Sequence, residues 1–154
     1  IPFVHTVAEM AEVKKIIAAS GLSRSASFKL WLMVEIPSNA ILIDKFCELG
    51  IDGVSIGSND LTMLILGADR DNDEVAQVFD ERNPAVLWAI ERVIKTCNKY
   101  GVTSSICGQA PSDFPELVEK LVSWGITSIS VNPDVVDAVR ENIYNVEKSL
   151  TNRK

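Results

Sequence analysis

Histidine is nearly absent from this 154-residue chain. The one present, His5, can build neither an imidazole pair for proton relay nor the heart of a metal cluster, and is read as a rim residue. Cysteine is sparse too. Cys47, Cys97 and Cys107 are odd in number and lack paired spacing, which excludes a disulfide framework and a zinc knuckle and points to a reducing cytoplasm. Basic residues are in deficit, 15 Lys and Arg against 21 Asp and Glu, for a formal net charge of -6. Binding a phosphate backbone needs clustered cations, so no nucleic-acid partner is expected. Apolar runs such as Ala40 to Ile43 and Leu61 to Ala68 fall far short of the roughly 20 residues that cross a bilayer, so no membrane partner is expected either. Linkers and low-complexity segments are missing. The chain opens on Ile1 within an apolar, strand-like run, which predicts a fragment or processed product of a longer protein.

What is present is 47% hydrophobic and 23% charged residues, the balance of an ordinary globular domain, in a pattern that keeps switching period. Short β-like runs alternate with longer stretches of helical period, the signature of βα units around a parallel sheet. Ile1 to Val4 reads as a strand end, with Thr6 and Glu9 as a capping box for a helix to Ala19. Four units follow. Strands are expected over Lys29 to Ile36, Gly53 to Ile56, Thr103 to Cys107 and Ser128 to Val131. Helices are expected over Asn39 to Leu49, from Asn83-Pro84 to Tyr100, over Asp113 to Trp124 behind a Ser112 cap, and from Asn132-Pro133 to Leu150. A helical turn is placed at Leu61 to Leu66. The domain spans 1–150, and 151–154 is a frayed tail. Leu49-Gly50-Ile51, Tyr100-Gly101-Val102 and Trp124-Gly125-Ile126 each set a glycine where a helix ends.

Parallel βα units gather their chemistry at the carboxyl ends of the strands, whether the sheet closes into a barrel or stays open and doubly wound. Those ends carry Glu35, then Gly57-Ser58-Asn59-Asp60 as a loop, then Cys107, then Asn132. Glu35 follows the apolar run Leu30 to Val34, where a carboxylate needs a salt-bridge partner or a cation. Asp60 is either a second ligand or an N-cap. Two carboxylates on adjacent strands suit a hard ion such as Mg²⁺. Cys107 is a small core residue or a reagent. Arg70 lies in a charged loop, and Trp31, Trp88 and Trp124 are read as packing.

Five runs in order carry a family resemblance: Met33 to Ala40, Ser55 to Thr62, Asp80 to Val86, Ile106 to Asp113 and Ser128 to Asp134. Together they resemble the carboxyl-terminal barrel of the phosphoenolpyruvate synthases, a family grouped with pyruvate phosphate dikinase and the phosphotransferase-system enzyme I. The resemblance implies an α/β fold that is the second half of a (β/α)₈ barrel, and a site for pyruvate and phosphoenolpyruvate. It implies Mg²⁺ held by Glu35 and Asp60, substrate lined by Gly57, Ser58 and Asn59, Arg70 at the phosphoryl group, and Cys107 as the acid/base at the methyl carbon. Two departures stand out: His5 replaces an arginine frequent in relatives, and Met63 a glutamine. The phosphohistidine and ATP-binding domains would lie outside this chain, which alone should not turn over. Half a barrel should also bare an apolar interior and two sheet edges, so a homo-oligomer is expected. The dikinase and a non-catalytic half-barrel module are the alternative readings.

Overall fold

In the computed structural model, which describes residues 1–152, the chain alternates as its period does. Helix α1 (Val7–Ala19) starts at Thr6, whose hydroxyl accepts from the Glu9 N–H at 3.1 Å; the Glu9 carboxylate reaches back to the His5 N–H at 2.7 Å, one residue before the expected box position. Strand β1 (Trp31–Val34) is shorter than Lys29 to Ile36. The expected Asn39 to Leu49 helix begins two residues earlier, because Pro37 is a good first helical residue, and it breaks at Leu42 into α2 (Pro37–Ile41) and α3 (Ile43–Glu48). Strand β2 (Gly53–Gly57) leads straight into α4 (Ser58–Leu66), so Ser58, Asn59 and Asp60 form a first helical turn rather than a loop. Helix α5 (Pro84–Tyr100) is capped by the Asn83 side chain, which accepts from the Ala85 N–H at 2.9 Å, and strand β3 (Thr103–Cys107) has the expected bounds.

The helix expected behind Ser112 divides into α6 (Ala110–Asp113) and α7 (Pro115–Trp124). Phe114 stands between them with φ -123° and ψ 91°, the extended backbone that a following proline enforces. Ser112 is no cap; its hydroxyl instead accepts from the Asn132 N–H at 3.0 Å. Strand β4 (Ser128–Ile129) is two residues long, and a 3₁₀ turn over Pro133–Val135 precedes α8 (Val136–Thr151). Of the tail, Thr151 ends α8 and Asn152 follows it, while residues 153 and 154 lie outside the described residues. Gly50, Gly101 and Gly125 take φ of 78°, 66° and 86°, the left-handed turn that releases each helix toward a strand.

The four strands are parallel and pair in chain order, β1-β2-β3-β4. Helices pack neighbour to neighbour in the same order, α1 on α3, α3 on α5, α5 on α7 and α7 on α8. One continuous helical layer on a sequentially ordered sheet is the arrangement of half a (β/α)₈ barrel, and it rules out the doubly wound alternative, whose helices divide between two faces. On the helical side Leu32, Val34, Val54, Ile56 and Ile106 are fully buried with Ile43, Phe46, Ile90, Ile94 and Leu121. Each such side chain contributes roughly 1.5–3 kcal/mol by leaving water.

The other face corrects an expectation. Its levels read Trp31, Gly53, Thr103; then Met33, Ser55, Ser105, Ser128; then Gly57 beside Cys107. Apart from Trp31 and Met33 it is small and mostly polar, and Trp31 lies over Gly53 so closely that a β-carbon there would come within 2.4 Å of the ring. The inner surface is therefore not the bare apolar patch on which self-association was argued. Trp88 is another correction: it is 57% exposed rather than packed. At the amino-terminal end of the sheet Asp52 accepts from the Leu30 N–H at 2.8 Å and pairs with Arg24, and these contacts hold its carboxyl down to about 2. No helix of the described residues is long and apolar enough to cross a membrane.

Candidate functional site

Glu35 is the residue immediately after β1 and is only 6% exposed. Gly57, ending β2, makes room for it: a β-carbon at Gly57 would sit 2.9 Å from Glu35 Cγ. One carboxylate oxygen, Oε2, accepts from the Phe3 N–H at 3.0 Å. Phe3 reaches it with φ 49°, an unfavourable region for a residue with a side chain. The buried Asn39 amide holds this arrangement, donating to the Val4 carbonyl at 2.7 Å and accepting from the Ile36 N–H at 3.1 Å. No Lys, Arg or His side chain pairs with Glu35 among the described residues, so the salt-bridge reading of this carboxylate is not met.

Asp60 lies in the first turn of α4, where the amino-terminal end of the helix favours negative charge. It is not an N-cap. Gly57 holds that position with no side-chain cap bond, and the half-buried Asp60 carboxylate makes no hydrogen bond or ion pair among the described residues. Two carboxylates at adjoining strand ends thus have no Lys, Arg or His side chain paired with them among the described residues. Among the described residues no three His, Cys, Asp or Glu side chains cluster as a closed metal cage. A pair of hard oxygen donors, with water and ligand oxygens completing the shell, fits Mg²⁺.

Cys107 ends β3, level with Gly57. Its sulfur accepts from the Ser55 hydroxyl and donates to the Ile56 carbonyl, both at 3.5 Å, and the side chain is half-buried on the inner face. Gly108 follows with φ 109°, and a β-carbon there would meet Ser58 Oγ at 2.2 Å. The backbone after the cysteine therefore rests directly on the first turn of α4. Gly108→Ala should force that turn away and strain the backbone at once, lowering stability by about 2–4 kcal/mol. Urea unfolding checks it; a variant with the parental midpoint would mean that the two segments do not touch.

Arg70 is half exposed in the loop after α4, within 3.8 Å of the Asp71 carboxylate. It also meets the site through Asn59. With the Asn59 amide oriented to satisfy both neighbours, its oxygen accepts from Arg70 Nη1 at 3.0 Å and its nitrogen donates to Glu81 Oε1 at 3.0 Å. Glu81, a residue the sequence reading did not select, is 5% exposed. Burial pushes its carboxyl up, with Asp113 and Asp80 adding to the rise, while Ser58 and Arg70 oppose it. The fully buried Ser58 hydroxyl neighbours the same carboxylate without completing a bond of normal geometry. Asp80 and Arg82 on either side bond each other, Arg82 N and Nε lying 2.8 and 3.0 Å from Asp80 Oδ1, and the residue between them turns inward.

The Asn132 side chain makes no hydrogen bond among the described residues; its N–H donates to the Ser112 hydroxyl and its carbonyl accepts from the Val135 N–H at 3.2 Å. His5 pairs with Glu9 at 3.6 Å and is exposed. Glu35, Gly57 and Cys107 share one level of the rim; Ser58, Asn59, Arg70 and Glu81 form a linked group beside it, joined to Cys107 through Gly108.

Residues 1–148 match the family described as PEP-utilising enzyme, PEP-binding domain. A probable phosphoenolpyruvate synthase from Staphylothermus marinus is 53% identical over 151 residues, 97% of this chain and 18% of its own length. The chain thus spans less than a fifth of that relative. Among solved structures, a citrate lyase from Burkholderia xenovorans aligns with TM-score 0.65 and 18% identity, over 93% of this chain and 47% of its own. Protein CitE from Mycobacterium tuberculosis, in complex with magnesium and pyruvate, aligns with TM-score 0.62 and 13% identity, over 93% and 55%. At such identity these two speak for the fold alone.

Proposed function

We infer the function from one premise: this chain belongs to the PEP-utilising enzyme family, whose PEP-binding domain it matches over residues 1–148. On that premise the domain interconverts pyruvate and phosphoenolpyruvate within a phosphoenolpyruvate synthase, a cytoplasmic pyruvate, water dikinase. The whole protein would convert ATP, pyruvate and water to AMP, phosphoenolpyruvate and phosphate. The ATP-binding and phosphohistidine domains belong to the part of the relatives' length that this chain does not span. The observation that carries the reading is the pair Glu35 and Asp60, two carboxylates on neighbouring strand ends with no Lys, Arg or His side chain paired with them among the described residues, with Cys107 on the third.

Glu35 and Asp60 would hold Mg²⁺, which when bound supplies Lewis-acid stabilisation to the oxygens of a 2-oxo acid. Cys107 Sγ, as thiolate, takes a proton from the methyl carbon of pyruvate. The resulting enolate oxygen forms a bond to the phosphorus of phosphohistidine as the P–N bond breaks, and in reverse the thiol returns the proton to the methylene carbon. Ser58 and Asn59, on the α4 turn, line the substrate. Arg70 spreads the charge of the phosphoryl group in its loose transition state. The synthase name of a relative 53% identical favours water over phosphate as the second acceptor. An idle half-barrel would have no physical reason to keep Glu35, Asp60, Arg70 and Cys107 together.

Incubating the full-length protein with ATP, pyruvate and Mg²⁺ and following it by ³¹P NMR tests the reading. Phosphoenolpyruvate, AMP and inorganic phosphate should appear in equal amounts. Pyrophosphate formed while phosphate is consumed would mark the dikinase instead, and no phosphoenolpyruvate would sink both.

A further inference from the structure

We propose that Glu81 is a positioning residue for the phosphoryl-transfer step, acting through Asn59 on Arg70. The inference rests on the reading that Arg70 meets the transferring phosphoryl group. Three observations carry it, each independent of the metal.

Glu81 is a buried carboxylate whose Oε1 lies 3.0 Å from the Asn59 amide nitrogen, and the oxygen of that amide lies 3.0 Å from Arg70 Nη1. A guanidinium can only donate and a carboxylate can only accept, so between them an amide has one orientation that satisfies both. Glu81 thereby fixes which way Asn59 faces, and Asn59 presents its carbonyl to Arg70. Without the acceptor at Glu81, the amide nitrogen loses its partner and the amide is free to turn its donor toward the guanidinium, where it repels.

The second observation is the economy of contacts around Arg70. Its side chain is 43% exposed, and among the described residues it has, besides Asn59, only the Asp71 carboxylate at 3.8 Å, itself 86% exposed. A long cationic side chain with one ordered contact owes its place to that contact. The third is the anchoring of Glu81 itself. Asp80 and Arg82 pair with each other, Asn83 caps α5, and Gly108 sits on the same α4 turn that carries Asn59. The relay therefore runs from the turn that leads into α5, which carries Glu81, to the first turn of α4, which carries Asn59, and supports a residue on a loop.

The test uses the full-length enzyme, with Glu81→Met removing the acceptor at nearly constant volume and Glu81→Gln keeping an acceptor oxygen for Asn59. Glu81→Met should lower kcat for phosphoenolpyruvate formation by about 30–100-fold, the size expected when a reacting group is displaced by an ångström. At saturating pyruvate, which offsets any weakening of the Asn59 contact to substrate, exchange of the pyruvate methyl protons, which needs Cys107 and not Arg70, should stay within about threefold of the parent. Glu81→Gln should restore formation to within about threefold, since the hydrogen bond to Asn59 is kept and only the charge is lost. In an Arg70→Ala background, adding Glu81→Met should lower the rate by no more than about twofold, because the group that it positions is gone. Glu81→Leu replaces Glu81→Met if the latter does not fold.

Equal losses in both backgrounds, a Gln variant as impaired as the Met variant, methyl-proton exchange falling in step with product formation, or parental rates in all variants would each overturn the role of Glu81. A parent enzyme that forms no phosphoenolpyruvate overturns the functional reading itself, which the same assay shows before any variant is compared.

Discussion

Asp60→Asn and Glu35→Gln in the full-length enzyme are each expected to lower phosphoenolpyruvate formation by about 10³-fold or more, roughly 4 kcal/mol of transition-state stabilisation. Neither should disrupt the fold. Asp60 makes no hydrogen bond within the described residues, so its amide leaves no partner stranded. Gln at position 35 keeps an oxygen for the Phe3 N–H, the one hydrogen bond that the Glu35 side chain makes among the described residues. Glu35 is a buried carboxylate with no cationic side chain beside it among the described residues, and neutralising it should leave the melting temperature unchanged or raise it, whereas Asp60→Asn gives up only the attraction of the helix end, about 0.5 kcal/mol. Activity lost while stability is kept or gained marks a residue retained for a ligand. Equilibrium dialysis with Mn²⁺ in place of Mg²⁺ should show weakened binding in both variants. A folded Asp60→Asn protein with parental turnover would remove the metal assignment.

Cys107→Ala should produce the second large effect and a selective one. General acid–base groups contribute about 10²–10⁴-fold, and exchange of the pyruvate methyl protons should fall by that factor. Transfer of phosphate from ATP to the histidine domain should continue at the parental rate, because no atom of this barrel half takes part in it. The cavity left by one sulfur is small, and the side chain is half-buried rather than sealed, so stability should change by less than about 1 kcal/mol. ¹H NMR of pyruvate in deuterated water follows the first reaction, and incorporation of labelled phosphate the second. Exchange that persists in Cys107→Ala would assign the proton to another group.

How much of this was legible in the sequence depends on which forces are local. The bounds of β3, the Asn83-Pro84 start of α5 and the three helix-ending glycines were readable because cap chemistry and backbone permissiveness act within a few residues. The break at Phe114 was readable as well, since the residue before a proline resists the helical region, yet Ser112 drew attention as a cap. The start of α4 was misplaced because Ser58-Asn59-Asp60 has the composition of a loop, and only the pairing of β2 with both neighbours fixes where the helix begins. Glu81 was invisible for a deeper reason. Its burial comes from α4 and the segment before α5 closing on one another, and a charged residue in a polar run reads as solvated until those elements meet. Of the selected residues, Glu35, Asp60 and Cys107 stand at the successive carboxyl-terminal ends of β1, β2 and β3, whereas the route by which Arg70 joins them, through an amide and a hidden acid, was not written locally.

The inner face of the sheet sets terms for whatever strands complete a barrel against it. Gly53, Ser55, Thr103, Ser105 and Ser128 bring little volume to their levels, and only Trp31 and Met33 are large. Barrel interiors are filled solid, in layers to which alternate strands contribute side chains. Thinness on one side therefore demands bulk on the other. The facing strands must supply large residues at the Ser55 and Ser105 level and spare the level that Trp31 already fills, so the two halves of the interior are cut to one another and cannot be exchanged freely between relatives.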